Sequence, residues 1–276
     1  MTYKLIAIDI DDNLLNRSKT ISETNRLAIT SALSRDIKVV LCSGRPHQAM
    51  ISYAKQLGIT GSNQYMITNG GAIIENMDQE IIFQQTLSNR FYREFVTFAE
   101  NNNLSYCVFD TKGRIYTSNN QDINRFTVSM AFENNDALHI RRPEEMSPDF
   151  EITKAVINGD EDELDDITGY IKREFIDYFI VRTGIGYLEI FPKTVNKGNA
   201  VTFLANKLGI NLHDVLACGD RDNDISMLKV AGLGVAMENA TLDCKQAADY
   251  ITTDCDHDGV GKAINKFVLT EKVAIR

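Results

Sequence analysis

Hydrophobic positions along the chain fall into short apolar runs separated by stretches of helical period, and that rhythm predicts the elements. Lys4–Ile8 is apolar and ends in acidic residues, which predicts a buried strand with a polar loop at its carboxyl end. Ser22 is placed to cap a helix running to about Asp36, with Leu27, Ile29, Ala32 and Leu33 near helical spacing. Ile37–Cys42 is the next near-continuous apolar run, of the kind buried on both faces of a parallel sheet. The Ser43-Gly44-Arg45 turn follows, then a helix that opens at Pro46 and closes at Gly58. Tyr65–Thr68 and Ala72–Ile74 read as strands around an Asn69-Gly70-Gly71 turn.

The pattern changes after Phe83. A helix (Asn89–Asn101), two strands (Ser105–Phe109 and Arg114–Thr117) and a helix near Asp122–Phe132 come first. A strand (Phe150–Ile157), a helix (Asp162–Phe175) and two strands (Tyr178–Arg182 and Tyr187–Phe191) follow. Paired strands interleaved with helices predict an α+β layer. After Lys197 the alternation resumes: a helix to Leu208, strand Val215–Cys218, a helix to about Val230, strand Leu233–Ala236 and further helices. The expected fold is α/β, a doubly wound parallel-sheet core of residues 1–83 and 189–276. An α+β domain of residues 84–188 is inserted in it.

Length and composition fit two soluble globular units: 276 residues, 43% hydrophobic and 24% charged. No apolar run approaches the roughly 20 residues of a membrane span. Met1–Lys4 leads straight into the first strand, leaving no room for the apolar region of a signal peptide. Five cysteines with no CxxC spacing disfavour a disulfide framework or a structural zinc, so the cytoplasm is the expected compartment. A formal charge of −9 disfavours nucleic acid as a partner. An anionic substrate would then need local positive charge, from a metal or from a few lysines and arginines. The pattern leaves oligomeric state open.

Two acidic clusters each follow an apolar strand: Asp9-Ile10-Asp11-Asp12-Asn13, and Gly219-Asp220-Arg221-Asp222-Asn223-Asp224. In a parallel α/β sheet the carboxyl ends of strands share one rim, so clusters far apart in sequence can meet there. While the chain stays extended, Asp9 and Asp11 point to the same side. Gathered carboxylates repel unless a cation lies among them, and magnesium prefers such oxygen ligands. A lone acidic turn would read as helix capping; two at equivalent strand ends read as a site. Ser43 offers a hydroxyl, Gly44 a close backbone approach, and Lys197, at a helix start, a positive charge for an anion.

In order, Asp9-Ile10-Asp11 with Leu14-Leu15, Ser43-Gly44-Arg45, Asn196-Lys197-Gly198, and Gly219-Asp220 with Asn223-Asp224 resemble the four motifs of the haloacid dehalogenase superfamily. The likeness spans essentially the whole chain, and the insertion is similar to the larger α/β cap of its Cof-type sugar-phosphatase branch. The resemblance implies a magnesium-dependent phosphatase acting on small phosphorylated metabolites, sugar phosphates foremost. It implies that Asp9 attacks phosphorus and carries the phosphoryl group, while Asp11 protonates the leaving alcohol and then activates water. It implies magnesium ligation by the side chains of Asp9 and Asp220 and the backbone carbonyl of Asp11, with Asp224 in support. Ser43, Gly44, Lys197, Asn223 and the backbone at Ile10 would hold the phosphoryl oxygens. Arg45 and Asn69, on the same rim, are candidate substrate contacts, and His47 could reach the site.

The family usually has Gly or Asp, then Thr, where this chain has Asp12 and Asn13. Asn13 is the departure, and its amide can donate a hydrogen bond similar to that of the threonine hydroxyl. A phosphomutase, or a non-enzymatic phospho-acceptor or sugar-binding module using the same acidic pocket, stands as the alternative. Asp254–Gly259 matches the first half of a calcium loop, but Asn265 stands where that loop needs glutamate, so a polar loop before the last helix is expected.

Overall fold

The computed structural model describes residues 3–118 and 123–270, whose strands form two sheets. The chain enters the first sheet with β1 (Leu5–Ile8), β2 (Lys38–Cys42), β3 (Tyr65–Thr68), β4 (Ile73–Asn76) and β5 (Ile81–Gln84). It then builds the second from β6 (Ser105–Asp110), β7 (Ile115–Thr117), β8 (Leu138–Ile140), β9 (Ile152–Asn158), β10 (Tyr178–Gly184) and β11 (Tyr187–Pro192). It returns to the first with β12 (Val215–Gly219), β13 (Leu233–Ala236) and β14 (Tyr250–Ile251).

The first sheet has the order β14-β13-β12-β1-β2-β3-β4-β5 and is parallel from β14 to β3. Its strands diverge from β1: β2 and β3 lie to one side, β12 to β14 to the other. Ile8 lies opposite Cys218, so the two acidic loops leave the sheet side by side at the switch point. Between these strands run α1 (Glu23–Leu33) and α2 (His47–Gln56). The fully buried pattern of β1 and β12 is what strands covered on both faces require.

The second sheet, β10-β11-β9-β6-β7-β8, is antiparallel except for the β7–β8 pair. It packs with α3 (Asn89–Asn101), α4 (Arg125–Glu133) and α5 (Glu161–Glu174). The Phe91 ring centroid lies 4.4–6.1 Å from those of Phe95, Phe175 and Tyr178 inside the sheet's own core. The acidic run after Asp160 opens α5, where Glu163 accepts a hydrogen bond from the Asp160 N–H at 3.1 Å. After β11 come α6 (Lys197–Lys207), α7 (Ile225–Val230), α8 (Leu242–Ala247) and α9 (Gly259–Ile264).

The doubly wound core with an inserted α+β layer is what the hydrophobic pattern predicts. Several details differ from it. β5 and β8 are partly exposed edge strands of only four and three residues, too short for the apolar residues they carry to stand out in the pattern. The helix expected near Asp122 begins at Arg125, where the Asn124 side chain accepts from the Phe126 and Thr127 N–H groups; Asp122 lies outside the described residues. The boundary drawn at 189 falls within β11, all of which pairs in the second sheet. Among the described residues no helix is long and apolar enough to cross a membrane.

Candidate active site

The chain leaves β1 extended at Asp9 and at Asp11, then turns at Asp12, which takes a left-handed φ of 56°. Aspartate tolerates that region better than most residues. Asp9 and Asp11 therefore face one cavity, as their spacing predicts. Beyond β12, Gly219 leaves space that a Cβ would take from Asp224, at 2.4 Å from its Cβ. Asp224 folds back there and accepts from the Asp220 and Arg221 N–H groups at 2.9 and 3.1 Å. Gly198 plays the same part for α6, since a Cβ would lie 2.4 Å from the Ser226 carbonyl oxygen on α7. That close approach delivers Lys197.

Lys197 is 1% exposed and donates to Asp9 Oδ1 at 2.5 Å and to Asp224 Oδ1 at 2.6 Å. Asn13, fully buried, directs Nδ2 to Asp9 Oδ2 at 2.9 Å, Asp220 Oδ1 at 2.6 Å and the Asp11 carbonyl oxygen at 2.9 Å. Asp9, Asp220 and Asp224 each bring an oxygen within 4.8 Å of the others; Asp9 and Asp224 share Lys197, while Asp220 has Arg221 at 3.6 Å, which also pairs with Asp12. Burial pushes Asp9 up to about 7 despite Lys197, with Asp224 and Asp11 adding to the rise. Burial, then the charges of Asp224 and Asp9, push Asp220 up to about 8. The same two carboxylates hold Lys197 charged against its burial. An all-oxygen, under-neutralised set of this kind fits a hard divalent cation such as magnesium.

Asp11 behaves differently. Burial acts to raise it, but two hydrogen bonds from Arg45, at 2.7 and 2.8 Å, and the nearby Lys19 hold it below the usual carboxylate range. Arg45 also donates to the carbonyl oxygen of Glu133, at the end of α4. The cavity, about 180 Å³, lies between the two sheets. Ser43, Gly44, Arg45, Arg221 and Asn223 line it from one side, and Asn134, Lys154, Tyr187 and Glu189 from the other. Asn223 Oδ1 is buried without a partner. Lys154 is 3% exposed and donates to Glu189 Oε1 at 2.5 Å and to the Gly44 carbonyl oxygen at 2.9 Å.

The matching family profile is that of haloacid dehalogenase-like hydrolases, over residues 6–264. The chain belongs to this family. A Streptococcus pyogenes serotype M6 protein, provisionally named a phosphatase, is 36% identical over 98% of this chain and 100% of its own length. The 5-amino-6-(5-phospho-D-ribitylamino)uracil phosphatase YcsE of Bacillus subtilis is 30% identical over 96% of each chain. A solved haloacid dehalogenase-like hydrolase from Bacteroides thetaiotaomicron superposes with a TM-score of 0.83 at 31% identity, covering 96% of this chain and 99% of that one. This haloacid dehalogenase-like protein is a phosphatase.

Not every residue singled out by sequence lies in the cavity. Ile10 is buried in the core, and its assigned role concerns the backbone alone. Asn69 lines a neighbouring cavity with His47, whose Nδ1 lies 3.0 Å from Glu75 Oε1, and accepts from Thr153 at 3.3 Å. In the calcium-like loop, Asp254 caps a short turn and meets His257, while Asp256 accepts from the Arg17 N–H. Lys154 and Glu189 were not anticipated. Their signal is a charged residue inside an otherwise apolar strand of this haloacid dehalogenase-like chain.

Proposed function

We propose that this phosphatase hydrolyses small phosphorylated metabolites, sugar and polyol phosphates foremost, with magnesium and through an aspartyl-phosphate on Asp9. The observation that carries this reading is the cluster of Asp9, Asp220 and Asp224, with Lys197 buried behind it on Asp9 and Asp224, where Asp9 and Asp220 line a cavity walled by both sheets. The YcsE relative, whose named substrate is a ribityl phosphate, supports the substrate class. In this reading the insertion, drawn at 84–188 from the sequence and carried on to the end of β11 at Pro192, acts as a cap over the core built by the rest of the chain. Five free, buried cysteines suit a reducing compartment such as the cytoplasm.

The side chains of Asp9 and Asp220 and the carbonyl of Asp11 would hold the magnesium, with Asp224 beside them. Bound there, the ion would neutralise charge on the phosphoryl oxygens. Lys197, Ser43, the Gly44 backbone, the Ile10 N–H and the Asn223 amide orient those oxygens so that Asp9 lies in line. Asp9 oxygen forms a bond to phosphorus as the bond to the leaving oxygen breaks, and Asp11 gives that oxygen its proton. Water then attacks phosphorus, Asp11 takes its proton, and Asp9 is released with inorganic phosphate. Because Arg45 favours ionised Asp11, proton delivery requires Asp11 to leave that pair. The Arg45 contact to Glu133 makes this release responsive to the position of the second sheet.

A panel of phosphorylated sugars, polyols, nucleotides and cofactors, assayed with and without magnesium, tests the proposal. Phosphate release that requires magnesium is expected. Asp9→Asn should lose at least about 10³-fold in kcat/KM. Full turnover by that variant rules out the nucleophile, and isomerised substrate without free phosphate makes the enzyme a phosphomutase.

A further inference from the structure

The amide of Asn13 does not balance. Its Nδ2 has two protons to give, yet three oxygens stand within 2.6–2.9 Å of it: Asp9 Oδ2, Asp220 Oδ1 and the Asp11 carbonyl. Its Oδ1, on the other side, is buried without a partner. An amide so placed is oversubscribed where oxygens crowd and unused where it could accept. The orientation nevertheless makes chemical sense, because the partly positive –NH2 faces the carboxyl oxygens of Asp9, which shares Lys197 with Asp224, and of Asp220, which shares Arg221 with Asp12. Reversing the amide would direct its carbonyl at both carboxylates, which is worse.

These three oxygens are the ones assigned above to the magnesium ion, so the inference rests on that reading. We infer that the Asn13 amide is a neutral stand-in for the cation: it ties Asp9 to Asp220 in the metal-free enzyme, and magnesium must displace it. Two consequences share one sign. The amide stabilises the metal-free site through hydrogen bonds to the carboxyl oxygens of Asp9 and Asp220, and those bonds must break when the ion enters. A side chain lacking the amide would leave the carboxylates less compensated and the site open. Asn13 thus acts as a positioning residue that sets metal affinity, not as a group that touches substrate.

Isothermal titration of the full-length enzyme with magnesium chloride, paired with melting in EDTA, tests this without an activity assay. Asn13→Thr should bind magnesium on the order of tenfold more tightly, the equivalent of one displaced hydrogen bond. It should melt lower than the parent in EDTA and close the gap in saturating magnesium. Equal affinity and equal melting in EDTA overturn the inference, and weaker binding by the variant overturns it by making Asn13 a supporting ligand. If Asn13→Thr fails to fold, the parent crystallised with magnesium decides. Nδ2 should no longer lie within hydrogen-bond distance of both Asp9 and Asp220; an unmoved amide overturns the inference. Heat uptake in neither protein removes the metal reading itself and this inference with it. Metal binding with an unchanged affinity removes the inference alone.

Discussion

Among the described residues two lysines are buried, and their surroundings differ in one respect. Lys197 and Lys154 are 1% and 3% exposed, and each lies 2.5 Å from a carboxylate. Around Lys154 the charges balance: one glutamate, the Gly44 carbonyl oxygen, and the face of Phe109 with its centroid at 4.4 Å. Around Lys197 they do not: Asp9 and Asp224 share its ammonium, and the adjoining Asp220 shares Arg221 with Asp12, at 3.6 and 3.3 Å. A neutral buried pair fastens one element to another, here the second sheet to the loop after β2. An under-neutralised cluster keeps electrostatic demand in reserve for a cation and a phosphoryl group. Depth of burial alone therefore does not distinguish a structural ion pair from a reactive one; the unmatched charge does.

Removing the ammonium from each site separates the two most sharply. Lys197→Met should lower kcat/KM about 10²–10³-fold, the scale for losing one donor aimed at developing charge. It also leaves Asp9 and Asp224 without their partner. Lys154→Met should act chiefly on stability, costing about 3–5 kcal/mol because Glu189 is left buried and alone. Adding Glu189→Leu should then recover most of that loss in a denaturant titration. No such recovery is expected for Lys197→Met combined with Asp224→Leu, which would lose activity further. Recovery of stability without recovery of KM in the Lys154–Glu189 double variant would show that the pair also contacts substrate.

The two lysines were not equally legible in the sequence. Lys197 stands in a short local pattern, Asn196-Lys197-Gly198, at a helix start, and its partners Asp9 and Asp224 follow apolar strands. Chain order together with a parallel sheet suffices to bring those strand ends to one rim. Lys154 and Glu189 meet through the β9–β11 register, in which Glu189 faces Val156 and its diagonal neighbour is Lys154. A register between strands 35 residues apart is a tertiary fact that no local spacing encodes. The edge strands β5 and β8 were hidden for a different reason: at four and three residues they are too short for their apolar positions to mark a strand. Asn13 was visible as a departure from the family pattern, but its three oxygen contacts depend on how the two acidic loops meet.

The unmatched charge also predicts a pH response that the neutral pair should lack. Asp9 and Asp220 hold protons in the folded, metal-free protein that the unfolded chain releases near pH 4. Their contribution to stability is then complete below about pH 4 and is lost as pH rises through about 7 to 8. In EDTA the melting temperature should drop by a few degrees between pH 5 and 8. Saturating magnesium should flatten that slope, and an equally steep slope with the ion present would disconnect the cluster from metal binding.

The smallest effect belongs to a third lysine pair, which tests whether burial matters at all. Lys4 donates to Asp214 at 2.8 Å, a distance close to those at Lys197 and Lys154, but the Lys4 side chain is 59% exposed. Water already solvates both charges there, so little is gained when they meet and little is lost when one is removed. Lys4→Met should leave activity unchanged and the melting temperature the same within the precision of a scan, in low salt and in high salt. A loss comparable to that of Lys154→Met would mean that contact distance, not desolvation, governs these pairs, and the contrast between the two buried lysines would then need another cause.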